Sequence, residues 1–507
     1  MSIINSFVNL INYNRLSQID FFRKNPVEVQ EGVLSQLIEF AKDTDFGVEY
    51  GFSNIVDHHG FSKNVPIFDY DSFKPFIERV MNGEQNVIWP TEIKWFAKSS
   101  GTTSDRSKYI PISKESLEDC HFRSGKDICL IYADKYPETG LFNGKTLAIG
   151  GSTNVNLNSE NSYYGDLSAV LIKNLPFWTY FHRVPKEEIL LLEDWDEKLN
   201  KIVETTINKN VTNLVGVPSW LLVLLHKVLD YTGKSNILEV WPNLELFVHG
   251  AVSFMPYRSM YEELIPSVAM TYLETYNASE GSFGIQDEFE QRKKDLLLML
   301  DYGIYYEFIA LSDYLNGKMN AIPLSEVKTD INYAMLISTN GGLWRYLIGD
   351  TVMFTSRNPY KFKITGRTKH FINAFGEEVI IDNAHKAISH ACEVTGARIR
   401  EYTAAPIFYN KNPQGAHEWL FEFIIEPSDM IVFVELLDEK LREINSDYDA
   451  KRYKDMSLGF PAFHVLIPGT FYAWLKNKGK LGGQHKIPRL SNTREYVEEL
   501  LKINNLG

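Results

Sequence analysis

The sequence feature that most limits the possible folds is an alternation of strand-like and helix-like runs that starts near residue 140. Three short apolar runs, "KTLAIGGS", "VTNLVGV" and "NLELFVHGA", are typical of strands, and "WLLVLLHKVL" and "MPYRSMYEELI" are typical of helices. Pro218 and Ser219 mark a helix start directly after the second of these strands. This repeated order predicts an α/β domain with a substantial parallel sheet, in which ligands gather at the carboxyl ends of the strands.

The pattern changes near residue 365, where an alternating strand, "YKFKITGR", is followed by a new succession of elements. "HEWLFEFIIEP" reads as a strand and "MIVFVELLDEKLREIN" as a helix. We therefore predict two domains: a large N-terminal domain over residues 1–365 and a small α+β C-terminal domain over residues 366–507.

Charge and cysteine content exclude several classes of protein. The net charge is −13, from 52 Lys+Arg and 65 Asp+Glu, which argues against nucleic acid as a partner. Three cysteines without a C-x-x-C pair argue against a disulfide scaffold and a cysteine zinc site. Neither a signal peptide nor an apolar run long enough to cross a bilayer is present, so we expect a cytoplasmic protein without a membrane partner.

The first candidate for chemistry is the hydroxyl-rich stretch "AKSSGTTSDRSKYIPIS". It lacks the second glycine and the following lysine of a P-loop, because Arg106 and Ser107 stand at those positions. Its hydroxyl and backbone N–H groups, with Lys108, are nevertheless suited to an anion. The alternative is a surface Ser/Thr loop. The loop residues in question are Ser99, Ser100, Gly101, Thr102 and Thr103.

A second stretch, "YNASEG", ends a predicted strand with Tyr276, Ser279 and Glu280. A tyrosine can stack on a nucleotide base, and a glutamate can bind magnesium through oxygen. The alternative is a helix cap formed by Ser279 and Glu280.

A third stretch, "GLWRYLIGDTV", places Gly349 and Asp350 at what we expect to be the end of a strand. An aspartate at such a point can accept hydrogen bonds from both hydroxyls of a ribose. The alternative is a turn aspartate, since Gly-Asp is common in turns.

The fourth stretch, "GKLGGQHKIPRL", is a glycine-rich segment near the C-terminus that carries Lys486. A lysine on a mobile loop can reach a phosphate or carboxylate when the loop moves in. The alternative is a solvated basic loop.

The order of these stretches is more informative than any one of them. A Ser/Thr/Gly loop, Y-x-x-S-E, G-D, G-R-x-K and a glycine-flanked lysine follow one another, as in the adenylate-forming superfamily of acyl-CoA synthetases, peptide-synthetase adenylation domains and luciferases. "LELFVHGAVSF" also resembles the strand and glycine turn beside the adenine there.

The closer resemblance is to the Gretchen Hagen (auxin-responsive) family of acyl acid amido synthetases, which conjugate hormones such as auxin and jasmonate to amino acids in plants. The stretches that carry it span roughly residues 90 to 490; they are "FAKSSGTTSDRSKYIP", "GLWRYLIGD", "LDEKLREINSDYDAKR" and "GGQHKIPRL". Asp105, Trp344 and His485 depart from the family's pattern, which usually has glycine at the first position and tyrosine at the other two.

The resemblance implies a luciferase-like fold with a mobile C-terminal domain, and a ligase that adenylates a small carboxylic acid with ATP and Mg²⁺ before transfer to an amino acid. It implies Glu280 as the magnesium ligand and Lys486 and Lys108 as the catalytic lysines. The loop with Lys108 would hold phosphates, and Tyr276 would lie near the adenine. Ser279 would belong to the nucleotide site, and Asp350 and Arg367 would reach the ribose.

The acid pocket is expected near the helix "EDCHFRSGKDICLIYA" and the aromatic run "LIKNLPFWTYFHRVP". Arg123 would pair with a second carboxylate on the substrate, and Phe177 and Tyr180 would form walls. The alternatives are a surface arginine and an aromatic core.

Two other functions stay open on the sequence. One is an acyl-CoA synthetase, which Gly376 in "NAFGEEV" favours and the "GGQHKIPRL" end disfavours. The other is a catalytically silent nucleotide-binding or ligand-binding protein in which Asp105 disables the loop.

Overall fold

A computed structural model gives the fold. It describes residues 3–99, 108–149, 156–159, 162–176, 182–190, 192, 195–250, 254, 257–289, 295–368, 371–372, 374, 377, 379–408, 415–445, 448–449, 452, 458–478 and 487–504. These residues form two compact units. The first holds the described residues up to Ile348 and Val352–Lys363, and the second holds Gly349–Thr351 and the described residues from Ile364 onward. The boundary between residues 365 and 366 stays a prediction.

The first unit is helical at its start and mixed thereafter. One segment, Ser116–His121, is a π-helix that runs directly into α6. The α-helices of this unit are α1 Ile3–Lys24, α2 Pro26–Ala41, α3 Asp45–Glu49, α4 His58–Asn64, α5 Tyr70–Met81, α6 Phe122–Lys135, α7 Leu167–Asn174, α8 Glu187–Leu190, α9 Trp195–Thr206, α10 Pro218–Thr232, α11 Arg258–Leu264 and α12 Leu311–Leu315.

The strands up to Arg367 build two sheets. They are β1 Trp95–Ser99, β2 Lys108–Ile112, β3 Lys145–Ala148, β4 Asn156–Ser159, β5 Ser162–Gly165, β6 Arg183–Val184, β7 Val211–Gly216, β8 Leu246–Gly250, β9 Thr271–Ala278, β10 Gly281–Gln286, β11 Leu296–Leu298, β12 Ile304–Ala310, β13 Ile322–Pro323, β14 Asn332–Thr339, β15 Tyr346–Arg357 and β16 Tyr360–Arg367. The small sheet has the order β2-β1-β5-β4, and the large one β13-β12-β14-β15-β16-β11-β10-β9-β8-β7-β3-β6.

Parallel pairing joins β6, β3, β7, β8 and β9, where strand and helix runs alternate in the sequence. Helices α9, α10 and α11 bury their apolar faces against these strands in one cluster that includes Leu214, Leu225 and Phe247. Pro218 is the first residue of α10, as its fixed φ and missing N–H favour. The predicted parallel α/β sheet is confirmed.

The second unit contains an antiparallel pair, a three-stranded sheet and covering helices. Its strands are β17 Phe371–Ile372, β18 Val379–Ile380, β19 Arg398–Phe408, β20 Gly415–Ile425 and β21 Ala462–Val465. Its helices are α13 Ile381–Thr395, α14 Met430–Ile444, α15 Thr470–Asn477 and α16 Glu495–Ile503. Helices α13 and α14 share one apolar cluster with β19 and β20, in which Trp419 and Phe433 are fully buried. This is the α+β composition that the sequence predicts.

Within the described part of the chain, no helix combines the length and the apolar character needed to cross a bilayer.

Candidate active site

The hydroxyl-rich loop connects two paired strands. Strands β1 and β2 are antiparallel, and Ser99 lies directly opposite Lys108. Lys108 places its ammonium 5.6 Å from the ring centroid of Tyr70, whose hydroxyl accepts a 2.9 Å hydrogen bond from the backbone N–H of Tyr109. Residues 100–107, with Ser100, Gly101, Thr102 and Thr103, lie outside the described residues, as does the Ser99 side chain. The two ends of the predicted phosphate loop, Ser99 and Lys108, are therefore held together by the pairing of β1 with β2.

Glu280 lies in a tight turn between two strands. Strand β9 ends at Ala278, Ser279 and Glu280 form the turn, and Gly281, paired with Ala278, starts β10. A Cβ atom on Gly281 would lie 2.7 Å from Ile304 Cδ1, so a larger residue there would displace the end of the Ile304 side chain. Ser279 is buried and Glu280 is partly exposed. The helix-cap alternative for these two residues is wrong, because the chain turns into a strand.

The π-helix and α6 pack beneath this hairpin through polar contacts. Cys120 Sγ accepts a hydrogen bond from the backbone N–H of Ser282 at 3.1 Å, and the hydroxyls of Ser124 and Ser282 lie 2.7 Å apart. His121 Nδ1 lies 3.2 Å from the Asn277 side-chain oxygen. We call Cys120, His121 and Ser124 the shelf. π-Helical turns are frequent at functional sites, and here one presents Cys120 and His121 to the strands beside Glu280.

His121 is neutral in the folded protein. Burial lowers the pKa of its imidazole to about 4, and the hydrogen bond with Asn277 opposes that shift. Since the Asn277 oxygen accepts, His121 Nδ1 carries the proton and Nε2 is an acceptor, which has no hydrogen-bond partner among the described residues. Sequence reasoning missed the shelf; its only signal is three polar residues spaced by one and three positions on the predicted helix "EDCHFRSG".

Glu280 is coupled electrostatically to a second tyrosine, Tyr346. Burial raises the pKa of the Tyr346 hydroxyl well above its ordinary range, and the charge of Glu280 raises it further, ahead of the contribution from Tyr70. The Tyr346 ring is fully buried, with its centroid 6.2 Å from that of Phe73. The charge coupling of Tyr346 with Glu280 and with Tyr70 thus links the Glu280 turn to the Lys108 hairpin. Sequence reasoning assigned no role to either tyrosine, although Tyr346 lies within "GLWRYLIGD".

Tyr276 belongs to the packed part of its strand. It is 6% exposed, and its ring centroid lies 4.8 Å from that of Phe283 and 6.1 Å from that of Phe362. Gly250, at the end of β8, pairs in parallel with Thr275, next to Tyr276. Gly250 and the tyrosine are therefore neighbours, while much of the ring surface is already covered. Its adenine contact stays a prediction.

Asp350 and Arg367 both belong to the second unit. Asp350 is 7% exposed, and Gly349 before it has a φ of +89°. The carbonyl of Gly349 accepts a 2.8 Å hydrogen bond from the N–H of Thr368, next to Arg367 at the end of β16. The side chain of Arg367 lies outside the described residues. The expectation that Gly349 and Asp350 end a strand is wrong: the glycine takes the left-handed conformation, and β15 continues to Arg357.

The arginine of "GLWRYLIGD" is part of the scaffold. Arg345 and Glu307 are almost fully buried and form two hydrogen bonds of 2.8 and 2.9 Å. Arg345 also donates to the carbonyls of Ser62 and Val65 at 3.0 and 2.7 Å. Because these bonds occupy both ends of the guanidinium, Arg345 anchors the start of β15 to the chain before α5.

The residues predicted for the acid pocket are only partly described. Arg123 forms an ion pair with Asp119, one helical turn earlier, and donates to the Asp301 carbonyl at 3.2 Å. Phe177 and Tyr180 lie outside the described residues. The substrate role of all three stays a prediction, and Arg123 already has two protein partners.

The C-terminal signature "LDEKLREINSDYDAKR" closes around one buried carboxylate. Asp438 accepts from Tyr448 at 2.6 Å and from Arg452 Nε and Nη2 at 2.8 and 2.7 Å. Arg452 also donates to the Leu458 carbonyl at 3.1 Å. These side chains are buried, so the signature braces the chain that follows α14. Lys486 lies outside the described residues.

A magnesium site here would rest on few protein ligands. Among the described residues, no group of three or more His, Cys, Asp and Glu side chains has the arrangement of a metal site. Magnesium bound to nucleotide phosphates takes only one or two protein carboxylates and keeps several waters. The single carboxylate of Glu280, at a turn, fits that requirement.

Family models match most of the chain. The model of the GH3 family N-terminal domain matches residues 15–270, about half of the chain, and those of the central and C-terminal domains match residues 297–367 and 382–495. The chain belongs to the GH3 family. This confirms the Gretchen Hagen family that the four stretches predict.

Curated relatives of this GH3 chain are enzymes that join acids to amino acids. It is 23% identical to the 4-substituted benzoates-glutamate ligase GH3.12 of Arabidopsis thaliana, over 97% of each chain. It is 24% identical to the indole-3-acetic acid-amido synthetase GH3.4 of the same plant, over 94% of this chain and 91% of the relative.

Solved structures confirm the fold. The acyl acid amido synthetase AtGH3.15 in complex with 2,4-DB matches with a TM-score of 0.78 at 18% identity, over 96% of this GH3 chain and 95% of its own. A 2-hydroxyisobutyryl-CoA ligase matches with a TM-score of 0.57 at 12% identity, over 94% and 92%. The predicted adenylate-forming fold, with a large N-terminal part and a smaller C-terminal part, is therefore correct.

Proposed function

We propose that this chain is an ATP-dependent acyl acid amido synthetase. It converts a small carboxylic acid and ATP to an acyl-adenylate and pyrophosphate, and then transfers the acyl group to an amino acid. Membership of the GH3 family, whose curated relatives carry names of this kind, supports the reaction class.

The observation that carries the proposal is the β9–β10 turn. It presents Glu280 at the end of a strand of the central sheet, where ligands of α/β folds gather, and the shelf fixes the strands on either side of it. A carboxylate held in this way suits a divalent cation on nucleotide phosphates. Bound there, Mg²⁺ supplies neutralisation of charge on the phosphoryl group under attack.

The first half-reaction forms a mixed anhydride. An oxygen of the substrate carboxylate attacks the α-phosphorus of ATP, the bond to the β-phosphate oxygen breaks, and pyrophosphate leaves. The loop at 99–103 and Lys108 hold the β- and γ-phosphates, and Lys486 stabilises the developing charge without forming a bond. Asp350 and Arg367 hold the ribose, with Tyr276 and Ser279 at the base end.

The second half-reaction forms the amide. The amine of the acceptor attacks the carbonyl carbon, the bond from that carbon to the AMP oxygen breaks, and the amine loses a proton. The products are the N-acyl amino acid and AMP.

The test is AMP release from ATP and Mg²⁺ with a panel of aryl and aliphatic acids. Each acid is combined with an amino-acid mixture, with CoA and with neither, using wild type, Lys486→Ala and the matched control Lys476→Ala. Lys476 is exposed on α15, ten positions before Lys486 in the chain. We expect acid-dependent AMP that rises with amino acids, falls about a hundredfold in Lys486→Ala and is unchanged in the control.

Two outcomes contradict the proposal. AMP that rises with CoA alone assigns the chain to the acyl-CoA synthetases, whose fold it shares. ATP binding without AMP release for any acid assigns it to the silent nucleotide-binding proteins.

A further inference from the structure

A cavity of about 610 Å³ lies along the first half of β9, in the first unit. Its lining includes Tyr132, Tyr136, Glu245, His249, Tyr272 and Phe289, and we call it the β9 groove. None of the residues predicted for catalysis, nucleotide, metal or acid lines it. Of the β9 residues that line the groove, Glu274 is the nearest in sequence to Glu280, and six residues of extended chain span about 20 Å.

The groove exists because β10 leaves β9 early. The two strands pair only as far as Thr275 and Ile285. At the next position the side chain of Gln286 accepts from the backbone N–H of Glu274 at 3.0 Å and donates to the Glu288 carbonyl at 2.9 Å. The side chain thus replaces a strand partner, and the chain after Gln286 turns away from β9 to form one side of the groove.

The groove has aromatic walls. The ring centroids of Tyr132, Tyr136 and Phe289 lie 4.9 to 5.9 Å apart. Phe254 forms a second group, with its centroid 4.2 Å from that of His249 and 5.0 Å from that of Tyr272. Tyr136 is 37% exposed. Such surfaces suit a planar aromatic ring, and a cavity of this volume is within the range of small-molecule sites.

The lining offers buried polar groups that can hydrogen-bond a ligand. His249 Nδ1 and the Tyr272 hydroxyl are enclosed and have no hydrogen-bond partner among the described residues. Burial, and after it the charge of Arg258, lowers the pKa of His249 to about 3, so the imidazole is neutral. Glu245 accepts from the Thr139 hydroxyl at 2.6 Å and from the backbone N–H of Gly140, and burial raises the pKa of its carboxyl.

The lining also carries excess negative charge. The carboxylates of Glu138, Glu245 and Glu274 outnumber the cations of Lys135 and Arg258. Arg258 is already engaged, because it donates to Glu262 at 2.8 Å and lies 5.7 Å from the centroid of the Tyr272 ring. A positively charged guest is therefore favoured over a negatively charged one.

We propose that the β9 groove binds an arylalkylamine, at a site separate from the acyl transfer. The aromatic ring packs against Tyr132, Tyr136 and Phe289, and the ammonium group points to the carboxylates of Glu245 and Glu274. Aromatic faces attract a cation, and a charge-assisted hydrogen bond to a partly buried carboxylate adds to that attraction.

The test is direct binding to the full chain without ATP, measured by calorimetry at neutral pH. Tryptamine is the probe, and indole-3-propionate, which has the same ring and the opposite charge, is the comparison. The variants are Glu245→Gln and Tyr136→Ala, and their matched controls are Glu204→Gln and Tyr231→Ala, exposed residues of the same unit outside the groove. Glu245→Gln keeps an oxygen for the Thr139 hydroxyl, so the fold is preserved, and a melting curve checks this for every variant.

We expect tryptamine to bind, with affinity about tenfold lower in each groove variant, unchanged in both controls, and higher than that of indole-3-propionate. The proposal is overturned if tryptamine does not bind at millimolar concentration. It is equally overturned if both groove variants bind tryptamine like wild type, or if the acid binds as tightly as the amine. Because ATP and acid turnover are absent from the assay, failure of this proposal is separate from failure of the amido synthetase assignment.

Discussion

Two family-like stretches of this chain have opposite physical characters. The β9–β10 turn carries a partly exposed carboxylate, Glu280, on a hairpin that buried neighbours hold in place. The C-terminal signature encloses its carboxylate, Asp438, with three hydrogen bonds from buried donors. The first stretch belongs to the motif order of the adenylate-forming superfamily, and the second to the closer resemblance to the GH3 family. The first stretch places the Glu280 carboxylate at the end of a strand, which suits a role in the reaction. The second buries the Asp438 carboxylate, which suits a role in stabilising the fold.

Asp438→Ala tests the structural half of this comparison and has the largest expected effect. The change leaves the Arg452 guanidinium and the Tyr448 hydroxyl buried without their acceptor. We expect the free energy of unfolding to fall by about 4 kcal/mol, measured by urea denaturation, with AMP formation per folded molecule near that of wild type in the cold. Glu439→Gln, exposed on the same helix, is the control. Normal stability with lost AMP formation would assign Asp438 to the chemistry instead.

Glu280→Gln tests the chemical half. We expect acid-dependent AMP formation to fall about a hundredfold, because the neutral amide is a poor magnesium ligand and leaves phosphate charge less compensated. The urea midpoint should change little, since Glu280 lies at a turn. Glu204→Gln is the control. A magnesium titration shows whether Glu280→Gln needs a higher magnesium concentration to form AMP. A large loss of stability with normal turnover per folded molecule would mean that Glu280, like Asp438, stabilises the fold and does not take part in the reaction.

His121→Asn measures how firmly the shelf supports the hairpin. The folded pKa of about 4 lies below the ordinary value of 6.5. The unfolded chain therefore binds a proton first as the pH falls, and stability is lost from about pH 6.5 downward toward pH 4. Between pH 7 and pH 5 this one group should account for about 2 kcal/mol of lost stability. Over the same pH range, the free energy of unfolding of His121→Asn should therefore fall by about 2 kcal/mol less than that of wild type.

The control for this experiment is His226→Asn, on the exposed side of α10. Urea midpoints at the two pH values are compared for wild type and both variants. An unchanged pH dependence in His121→Asn would mean that the imidazole is not held neutral under the hairpin.

Arg123→Ala has the smallest expected effect. The ion pair with Asp119 is partly exposed, so its loss should cost at most about 1 kcal/mol. Since Arg123 already contacts Asp119 and the Asp301 carbonyl, we expect the KM for the acid to rise no more than about twofold. Asp119→Asn, which keeps the arginine, is the matched variant. A rise of tenfold or more in Arg123→Ala alone, with the KM for ATP unchanged, would support the predicted contact with the substrate carboxylate.

The family motifs found by sequence were right about identity, and the catalytic and binding roles of their residues stay predictions. Their order along the chain led to the GH3 family, and the repeated strand and helix runs led to the parallel sheet. The arginine of "GLWRYLIGD" shows how far a motif predicts a role. A basic residue inside a motif suggests a ligand contact, yet Arg345 donates its hydrogen bonds to Glu307 and to two backbone carbonyls. Partners of this kind lie 38 to 283 positions away, beyond the reach of any local pattern.

The sequence by itself determined what periodicity and residue order can encode: the element types, the α/β and α+β parts, and the family. The tertiary structure alone decided which side chains meet. It put Cys120, His121 and Ser124 under a hairpin about 160 residues later in the chain, and it opened the β9 groove where Gln286 replaces a strand partner. Hydrophobic spacing specifies which face of an element is buried, whereas the identity of the neighbour on that face follows only when the whole chain packs.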